Sequence, residues 1–386
     1  METIELLEIA ARGEDSRHQF KEDVTHPNSL ASEIVAFANS GGGKIFIGIA
    51  NDGSIHAHTS ASVDRLNQLI ANTASNSVRP PVNPLTENVS VGNGVVIVVT
   101  VLEGISKPYM DHGGAIWVKS GSDKRKVTAR EEMQRMFQSA QLVHGDDVSV
   151  RGTSIADIDL DYFRRFFKAR FGEELEDQDL SLDQVLENMR VLSDKSLTVT
   201  GVLLFAKDPR TLLPVFHVKA VCYPGIEIHT TTYVDSADIF GRIQTQFEEA
   251  LGFVLRNLRL EQMSNGINST GEPEIPRIVL EELLANALMH RDYFVSAPIR
   301  IFIFDDRIEI ISPGHLPNNL TVANIQSGNS NIRNPILTSY ATKVLPYRGL
   351  GTGILRALRE YPMIEFVDDR DGNLFRVVIR RRTLAA

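Results

Sequence analysis

Residues 31–50 of the chain read ASEIVAFANSGGGKIFIGIA. The apolar residues within 31–40 recur at helical spacing, which predicts an amphipathic helix that the following glycines bring to an end. The continuous apolar run 44–50 is typical of a buried strand, and Asn51-Asp52-Gly53 predicts a tight turn after it. A helix, a glycine turn and a buried strand in direct succession indicate an α/β fold.

The neighbouring sequence extends this pattern into a first domain, which we place at residues 1–140. The runs VVIVVTVL (95–102) and AIWVKS (115–120) predict two more strands. A helix at 128–141 closes the domain, and its Thr128 and Glu131 have the spacing of a capping box.

Two further segments follow the first domain. The polar stretch 141–155 predicts a linker, 150–270 predicts a mixed α/β middle segment, and 275–386 predicts an α/β carboxy-terminal domain. In the middle segment we expect helices at 157–171, 181–190 and 236–261 and strands at 201–206 and 216–223. In the last segment we expect helices at 276–291 and on both sides of a glycine cluster, and strands at 299–304, 307–312, 363–368 and 373–380.

The composition excludes several classes of protein. The 386 residues include 40 Lys and Arg against 49 Asp and Glu, a net charge of -9, and 42% hydrophobic residues, which is ordinary globular composition. No apolar run reaches the roughly 18–20 residues that span a bilayer, and the acidic amino-terminal residues lack the basic stretch of a secretory signal. Cys222 is the only cysteine, so intramolecular disulfides and cysteine-cluster zinc sites are excluded. We expect a cytoplasmic protein without a membrane partner.

The carboxy-terminal stretch EELLANALMHRDY (281–293) carries polar residues in an informative pattern. Glu282 and Asn286 are four residues apart, which places both on one face of the expected helix. An Asn carbonyl can bind Mg²⁺ among nucleotide phosphates, and a Glu one turn earlier can polarise an attacking water. The alternative is an amphipathic helix with ordinary surface polar residues.

The glycine cluster RGLGTGI (348–354) precedes another expected helix. Glycine lets a backbone approach a ligand closely, and a helix amino terminus offers N–H groups to phosphate. A glycine-rich helix cap explains the pattern as well.

Taken together, NALMHRDY (286–293), SPGHLP (312–317) and RGLG (348–351) resemble a divergent branch of the Bergerat-type (GHKL) ATP-binding superfamily, which includes gyrase and the histidine kinases. The resemblance implies an α/β sandwich that binds ATP and Mg²⁺, with 324–346 as a lid. It implies Glu282 as general base, Asn286 as the metal ligand, and a nucleotide site formed by Asn286, Ser312, Gly314, Arg348, Gly349, Gly351 and Gly353.

Ser312 stands where typical members have an adenine-binding Asp, and a hydroxyl is a weaker acceptor than a carboxylate. This departure predicts a degenerate or differently selective pocket. The branch is also labelled helicase-like, but the chain has no Walker A pattern, so we do not expect unwinding.

The amino-terminal stretch 14–53 resembles the AlbA-like domain of the Schlafen family and its bacterial relatives. The resemblance implies nucleic-acid binding, and its pairing with the carboxy-terminal block recurs in bacterial proteins regarded as transcriptional regulators. Some relatives are metal-dependent nucleases that use two Glu and one Asp. Those positions fall on Glu14, Gln19 and Asp52, and the neutral Gln19 weakens a metal site, so we expect a nuclease remnant at most.

Binding to phosphate is easier to support than cleavage. Residues 119–135 hold six basic residues against three acidic ones in an otherwise acidic chain, although a solvated helix start is the alternative. The candidate nucleic-acid-binding residues are Lys21, Lys44, Lys119, Lys124, Arg125, Lys126 and Arg130.

These observations favour a DNA-binding transcriptional regulator whose divergent ATP-binding domain gates nucleic-acid binding or assembly. The alternatives are an ATPase switch, a Schlafen-like metal-dependent nuclease, and a non-catalytic oligomeric scaffold. Residues 1–140 hold 13 Lys and Arg against 16 Asp and Glu, so affinity for DNA, or for RNA as the alternative, should be modest and salt-sensitive. Such binding would depend on a homo-oligomer that places two patches on one duplex.

Overall fold

The computed structural model describes residues 1–140, 142–228, 231–262, 271–317, 320–347 and 351–382. The chain divides into two compact units, Met1–Leu142 and Val143–Ala386. Helices and strands occur in both units, so the predicted α/β class is confirmed. The division into three domains at 1–140, 150–270 and 275–386 stays a prediction.

The first unit is built around one sheet with helices on both faces. Its elements in chain order are α1 Thr3–Arg12, β1 His18–Lys21, α2 Pro27–Asn39, β2 Gly43–Ile47, α3 Ser60–Asn76, β3 Val78–Arg79, β4 Leu85–Val91, β5 Gly94–Val101, β6 Met110–Asp111, β7 Trp117–Ser120, β8 Asp123–Lys126 and α4 Arg130–Ser139. The main sheet has the order β1-β2-β5-β4, with β1 and β2 parallel and the other neighbours antiparallel. Helices α2 and α3 pack on one face of this sheet, and α1 packs on the other.

The stretch that opened the sequence analysis folds as its pattern predicts. Helix α2 has Pro27 in its first turn and ends at Asn39, and β2 follows with Ile45, Phe46 and Ile47 fully buried. At Gly43 a Cβ atom would overlap the Phe37 ring, so glycine allows the strand to start against the helix. One detail differs at α4, where Ala129 is the N-cap residue. Thr128 therefore does not hold the position that the predicted capping box requires.

The second unit has one core around a larger sheet. Its elements are α5 Leu160–Phe171, α6 Leu182–Asn188, β9 Leu192–Ser193, β10 Ser196–Leu197, α7 Val199–Phe205, α8 Pro209–Leu212, β11 Val218–Cys222, β12 Asp235–Ile239, α9 Ile243–Arg256, β13 Leu260–Gln262, β14 Gly271–Pro273, α10 Arg277–His290, β15 Ile299–Ile303, β16 Arg307–Pro313, α11 Val322–Gln326, α12 Pro335–Val344, α13 Gly353–Glu360, β17 Ile364–Asp369 and β18 Leu374–Arg380. The sheet order is β12-β11-β15-β16-β18-β17, so the middle segment and the carboxy-terminal segment share one sheet.

Two predictions in the middle segment are wrong. Residues 201–205 belong to helix α7 rather than to a strand, because Thr198 caps the helix by accepting a hydrogen bond from the Gly201 N–H at 3.1 Å. Every residue of α7 is buried, so no polar face marks it as a helix. The helix predicted at 236–261 starts only at Ile243, because 235–239 pair with β11 and Gly241, at φ +114°, separates strand from helix.

The predicted linker 141–155 contributes to the core of the second unit. Asp146 is fully buried, and its carboxylate accepts hydrogen bonds from the backbone N–H groups of Ile336 and Leu337 at 2.8 and 2.9 Å. These N–H groups belong to the first turn of α12, so Asp146 caps that helix across the fold. Burial raises the pKa of Asp146 above its ordinary value.

Candidate functional sites

A cavity of about 110 Å³ lies between α10, β16 and the start of α13 in the second unit. The residues predicted for the nucleotide site converge there, although they come from separate parts of the sequence. Those in its wall are Glu282, Asn286, Ser312, Gly314, Gly351 and Gly353. Arg348 and Gly349 lie outside the described residues.

Helix α10 presents Glu282 and Asn286 to the cavity on one face, as their spacing of four residues requires. The Asn286 amide Nδ2 donates to the Glu282 backbone carbonyl at 2.7 Å. This bond assigns the amide nitrogen to the helix and leaves the carbonyl oxygen Oδ1 as the atom suited to a cation. Among the described residues, this geometry suits a Mg²⁺ ion that is held by one protein ligand, the Asn286 Oδ1 atom.

Glu282 is buried, and its carboxylate forms an ion pair with the guanidinium of Arg356 on α13. The same carboxylate lies directly against Gly353, where a Cβ atom would overlap it. The predicted general base is therefore held by a cation of the chain itself. Arg356 is a cavity residue that sequence reasoning missed, and its signal was a basic residue one turn after the glycine cluster.

The start of α13 forms the glycine-rich wall of the cavity. Thr352 is the N-cap residue, and no side chain of the described residues caps the helix there. Gly351 has φ +71°, and a Cβ atom there would lie 2.8 Å from the Gly328 carbonyl oxygen and 3.0 Å from Ser330 Oγ. The segment around 328–330 is thus packed closely on the glycines. The predicted lid at 324–346 overlaps the end of α11 and contains all of α12, so it is not an irregular loop throughout.

Ser312 and Gly314 end β16 beside α10. The Ser312 hydroxyl donates to the Ala287 backbone carbonyl at 3.1 Å, which leaves only lone pairs for a ligand. Gly314 has φ +95°, and a Cβ atom there would lie 2.5 Å from Asp292 Cβ. Glycine is thus required where the strand turns along the cavity.

A polar group at the carboxy-terminal end of α10 completes the cavity wall. The His290 ring Nε2 lies 3.0 Å from the Tyr347 hydroxyl, and Arg333 donates to the backbone carbonyls of His290 and His315. Burial, with the charge of Arg333, lowers the pKa of His290 to about 4, and burial raises the pKa of Tyr347 to about 12. The ring and the phenol are therefore neutral near pH 7.

Arg291 has a structural role beside these residues. It is 2% exposed, donates to the carbonyls of Val295 and Ala297, and stacks on the rings of Phe216 and Tyr293. These contacts fix the chain that leaves α10.

In the first unit, three of the predicted basic residues lie close together. The ammonium groups of Lys21 and Lys124 both pair with the Glu33 carboxylate, at 3.2 and 2.7 Å. Lys119 donates to the Gln19 side-chain oxygen at 2.8 Å and lies over the Phe37 ring. We call Lys21, Lys119 and Lys124 the lysine cluster. Burial lowers the pKa of Lys119, although the nearby carboxylates of Glu33 and Glu14 oppose the shift.

The other basic candidates lie apart from the lysine cluster. Lys44 shares its face of the sheet with Phe46, on the α1 side, whereas Lys21 is on the α2 side with Gln19. Arg125 forms a two-bonded ion pair with Glu132 at 2.6 and 2.8 Å. Lys126 and Arg130 are exposed.

Glu33 is the residue that sequence reasoning missed in this unit. It is 3% exposed, and one carboxylate oxygen, Oε2, is buried without a hydrogen-bond partner among the described residues. The signal in the sequence was a single acidic residue inside the apolar run ASEIVAF. A charge buried at such a position needs a partner, which indicates a pairing with a basic residue.

The residues of the predicted nuclease remnant have local partners. The Glu14 carboxylate accepts from the Gln19 amide and from the Phe20 N–H at 2.7 Å. Asp52 accepts from the Ser54 N–H and hydroxyl at 2.9 and 2.5 Å. In the part of the chain that the structure describes, no three His, Cys, Asp or Glu residues are grouped as a metal ion would need.

Two family models match the chain. Residues 14–128 match the family described as "Schlafen, AlbA_2", and residues 296–379 match "Putative ATP-dependent DNA helicase recG C-terminal". The amino-terminal part of the chain is therefore similar to the Schlafen AlbA_2 family, and the carboxy-terminal part is similar to the RecG carboxy-terminal family. Both matches agree with the resemblances found in the sequence.

The chain is also similar to solved structures at low sequence identity. The DIP2311 protein from Corynebacterium diphtheriae is 20% identical, with a TM-score of 0.48, over 99% of this chain and 80% of that one. The amino-terminal domain of a RecG-related protein from Nitrosomonas europaea, described as a putative ATP-dependent DNA helicase, is 21% identical, with a TM-score of 0.24, over 34% of this chain and 96% of that one. No curated protein matches the chain.

No helix in the described ranges combines the length and the apolar character that a membrane span requires.

Proposed function

We propose that the protein binds a nucleotide with Mg²⁺ in the cavity of the second unit and binds nucleic acid through the first unit. The observation that carries the proposal is the convergence of Glu282, Asn286, Ser312, Gly314, Gly351 and Gly353 on one cavity. Glycines and the N–H groups of a helix start suit phosphates, and the Asn286 oxygen suits a phosphate-bound Mg²⁺. The match to a RecG-type family described as ATP-dependent supports ATP as the nucleotide.

The test is the effect of Asn286→Ala on ATP affinity, measured by calorimetry with and without Mg²⁺. We expect a loss of about tenfold to a hundredfold with Mg²⁺, because a metal ligand is removed, and little change without it. Asn188→Ala is the matched control, since Asn188 is an exposed helical Asn of the same unit. Wild-type protein that shows no binding of ATP at millimolar concentration with Mg²⁺ would contradict the proposal.

For nucleic acid, the lysine cluster is the supporting observation. Lys21 and Lys124 both pair with the buried Glu33 carboxylate, and Lys119 lies within its electrostatic influence, so the three lysines are held in place on one face. DNA is the proposed ligand, with RNA as the alternative, in line with the AlbA_2 match. We propose that nucleotide binding gates this contact or the assembly of a cytoplasmic homo-oligomer that regulates transcription.

The salt dependence of DNA binding tests this interface. Each phosphate contact contributes about −0.9 to the slope of log K against log salt concentration. We expect Lys21→Met to reduce the steepness of that slope by about one, and Lys44→Met, on the opposite face of the sheet, to leave it unchanged. Fluorescence anisotropy with a labelled duplex over a salt series provides the slope. The reverse pattern would place the interface on the α1 face, and the proposal for the lysine cluster would then be wrong.

A nucleotide-hydrolysing switch is a narrower form of the same function. It requires Glu282 to leave Arg356 before the carboxylate can polarise a water, since the ion pair occupies the carboxylate in this structure.

A further inference from the structure

The contact between Glu282 and Arg356 joins the two walls of the cavity. Glu282 comes from α10, and Arg356 comes from the first turn of α13, which starts at Gly353. The Glu282 side chain is 7% exposed and that of Arg356 is 35% exposed. The ion pair therefore links α10 to α13 in the cavity wall, with the carboxylate buried and the guanidinium partly exposed.

The carboxylate lies where an anion is favoured. Its Oε2 is against Gly353 at the start of α13, a helix end with a positive dipole where the N-cap residue Thr352 makes no side-chain cap bond, and its Oε1 binds the guanidinium. A helix start, a closely approaching glycine and an arginine are together a phosphate-binding arrangement. Glu282 fills it with a negative charge from the chain.

The Arg356 guanidinium has further capacity to donate. Its Nε is buried and has no hydrogen-bond partner among the described residues, whereas one Nη binds Glu282. A guanidinium can bind a phosphate through two parallel N–H groups, which a phosphate group in the cavity would allow.

The cavity is small while Glu282 and Arg356 are paired in its wall. Its volume of about 110 Å³ is below the roughly 300–1,000 Å³ of pockets that hold drug-sized ligands. Separation of α10 and α13 at the ion pair would enlarge it.

We propose that Arg356 is a phosphate-binding residue for a nucleoside polyphosphate and that Glu282 holds it until the phosphate takes the place of the carboxylate. The proposal rests on the nucleotide site proposed above and adds an exchange of partners at Arg356. Phosphate binding and release of Glu282 are then one event, so the general base becomes available to water only when nucleotide is bound.

The test compares affinities for a non-hydrolysable ATP analogue with Mg²⁺, measured by calorimetry. We expect Arg356→Met to weaken binding about tenfold, because a charge-assisted hydrogen bond to phosphate is lost. We expect Glu282→Gln to strengthen binding severalfold, because the neutral amide competes less for the guanidinium. Arg359→Met is the matched control, since Arg359 is an exposed residue of the same helix, and should bind as the wild type does.

The probes separate this inference from the proposed function. Adenosine should bind wild type and Arg356→Met alike, while inorganic triphosphate should distinguish them. Equal affinity of wild type and Arg356→Met for the analogue would overturn the inference and leave the nucleotide site standing. Absence of binding to both wild type and Glu282→Gln would contradict the nucleotide site and the inference with it. Thermal unfolding of each variant shows that it is folded, and Glu282→Gln gives a gain of binding that an unfolded protein cannot produce.

Discussion

Replacement of Arg381 by Met is expected to lower the free energy of unfolding of the second unit by about 3–5 kcal/mol. The Arg381 guanidinium donates two hydrogen bonds to one oxygen of Glu274, at 2.6 and 2.9 Å, and a third to the Phe304 carbonyl at 2.6 Å. The side chains are 6% and 1% exposed. Among the described residues, removal of the cation leaves the buried Glu274 carboxylate with the more distant Arg259, at 3.9 Å, as its charged partner.

The measurement is chemical denaturation of the purified protein near pH 7. Arg382→Met is the control, because Arg382 is exposed and its contact with Glu261 at 3.4 Å lies on the surface, where such pairs contribute about 0–1 kcal/mol. The double variant Glu274→Leu with Arg381→Met should recover part of the loss, since it removes both charges. A loss below about 1 kcal/mol for Arg381→Met would show that the pair is solvated in solution.

The second large effect is a pH dependence that arises from His290. Its pKa is lowered from 6.5 to about 4 by burial, so the folded protein resists a proton that the unfolded chain accepts. Stability from this group is complete above pH 6.5 and is lost as the pH falls towards 4. At about 1.4 kcal/mol for each pKa unit, the loss by pH 4 is about 2–3 kcal/mol after allowance for partial exposure.

His290→Gln should remove this acid sensitivity. We expect the difference in unfolding free energy between variant and wild type to move in favour of the variant as the pH falls from 7 to 4. Urea denaturation at several pH values checks it, with the exposed His26→Gln as a control that leaves the pH dependence of the wild type unchanged. Parallel curves for wild type and His290→Gln would contradict the burial argument.

Local patterns predicted much of the fold because each element had a distinct period or a clear end. The helix predicted within 31–40, the hairpin at 299–312 and the final strands all have such limits in the sequence. Helix α7 had neither, since burial on every side removes the polar positions that separate a helix from a strand. The sequence pattern does not separate the strand at 235–239 from the next helix, because Ile239 and Ile243 also suit helical spacing.

The candidate sites show the same limit in another form. Short motifs identified Glu282, Asn286 and the glycines, which the fold brings to one cavity. Glu33 and Arg356 belong to no short motif. Glu33 pairs with Lys124, 91 positions away in the chain, and Arg356 pairs with Glu282, 74 positions away. Side-chain pairing at such separations depends on the packing of whole elements, which local spacing does not encode.

The position of β11 has a consequence for how the chain can be divided. This strand comes from the middle segment, yet it lies between β12 and β15 and pairs in parallel with β15. A cut in the polar stretch 264–276 would leave β15 with an open edge and β11 without one neighbour, a combination that favours aggregation. Exchange of the carboxy-terminal half between relatives would therefore have to carry residues 143–262 with it. The middle segment is structurally part of the carboxy-terminal half, and a fragment that keeps the cavity intact begins near residue 143.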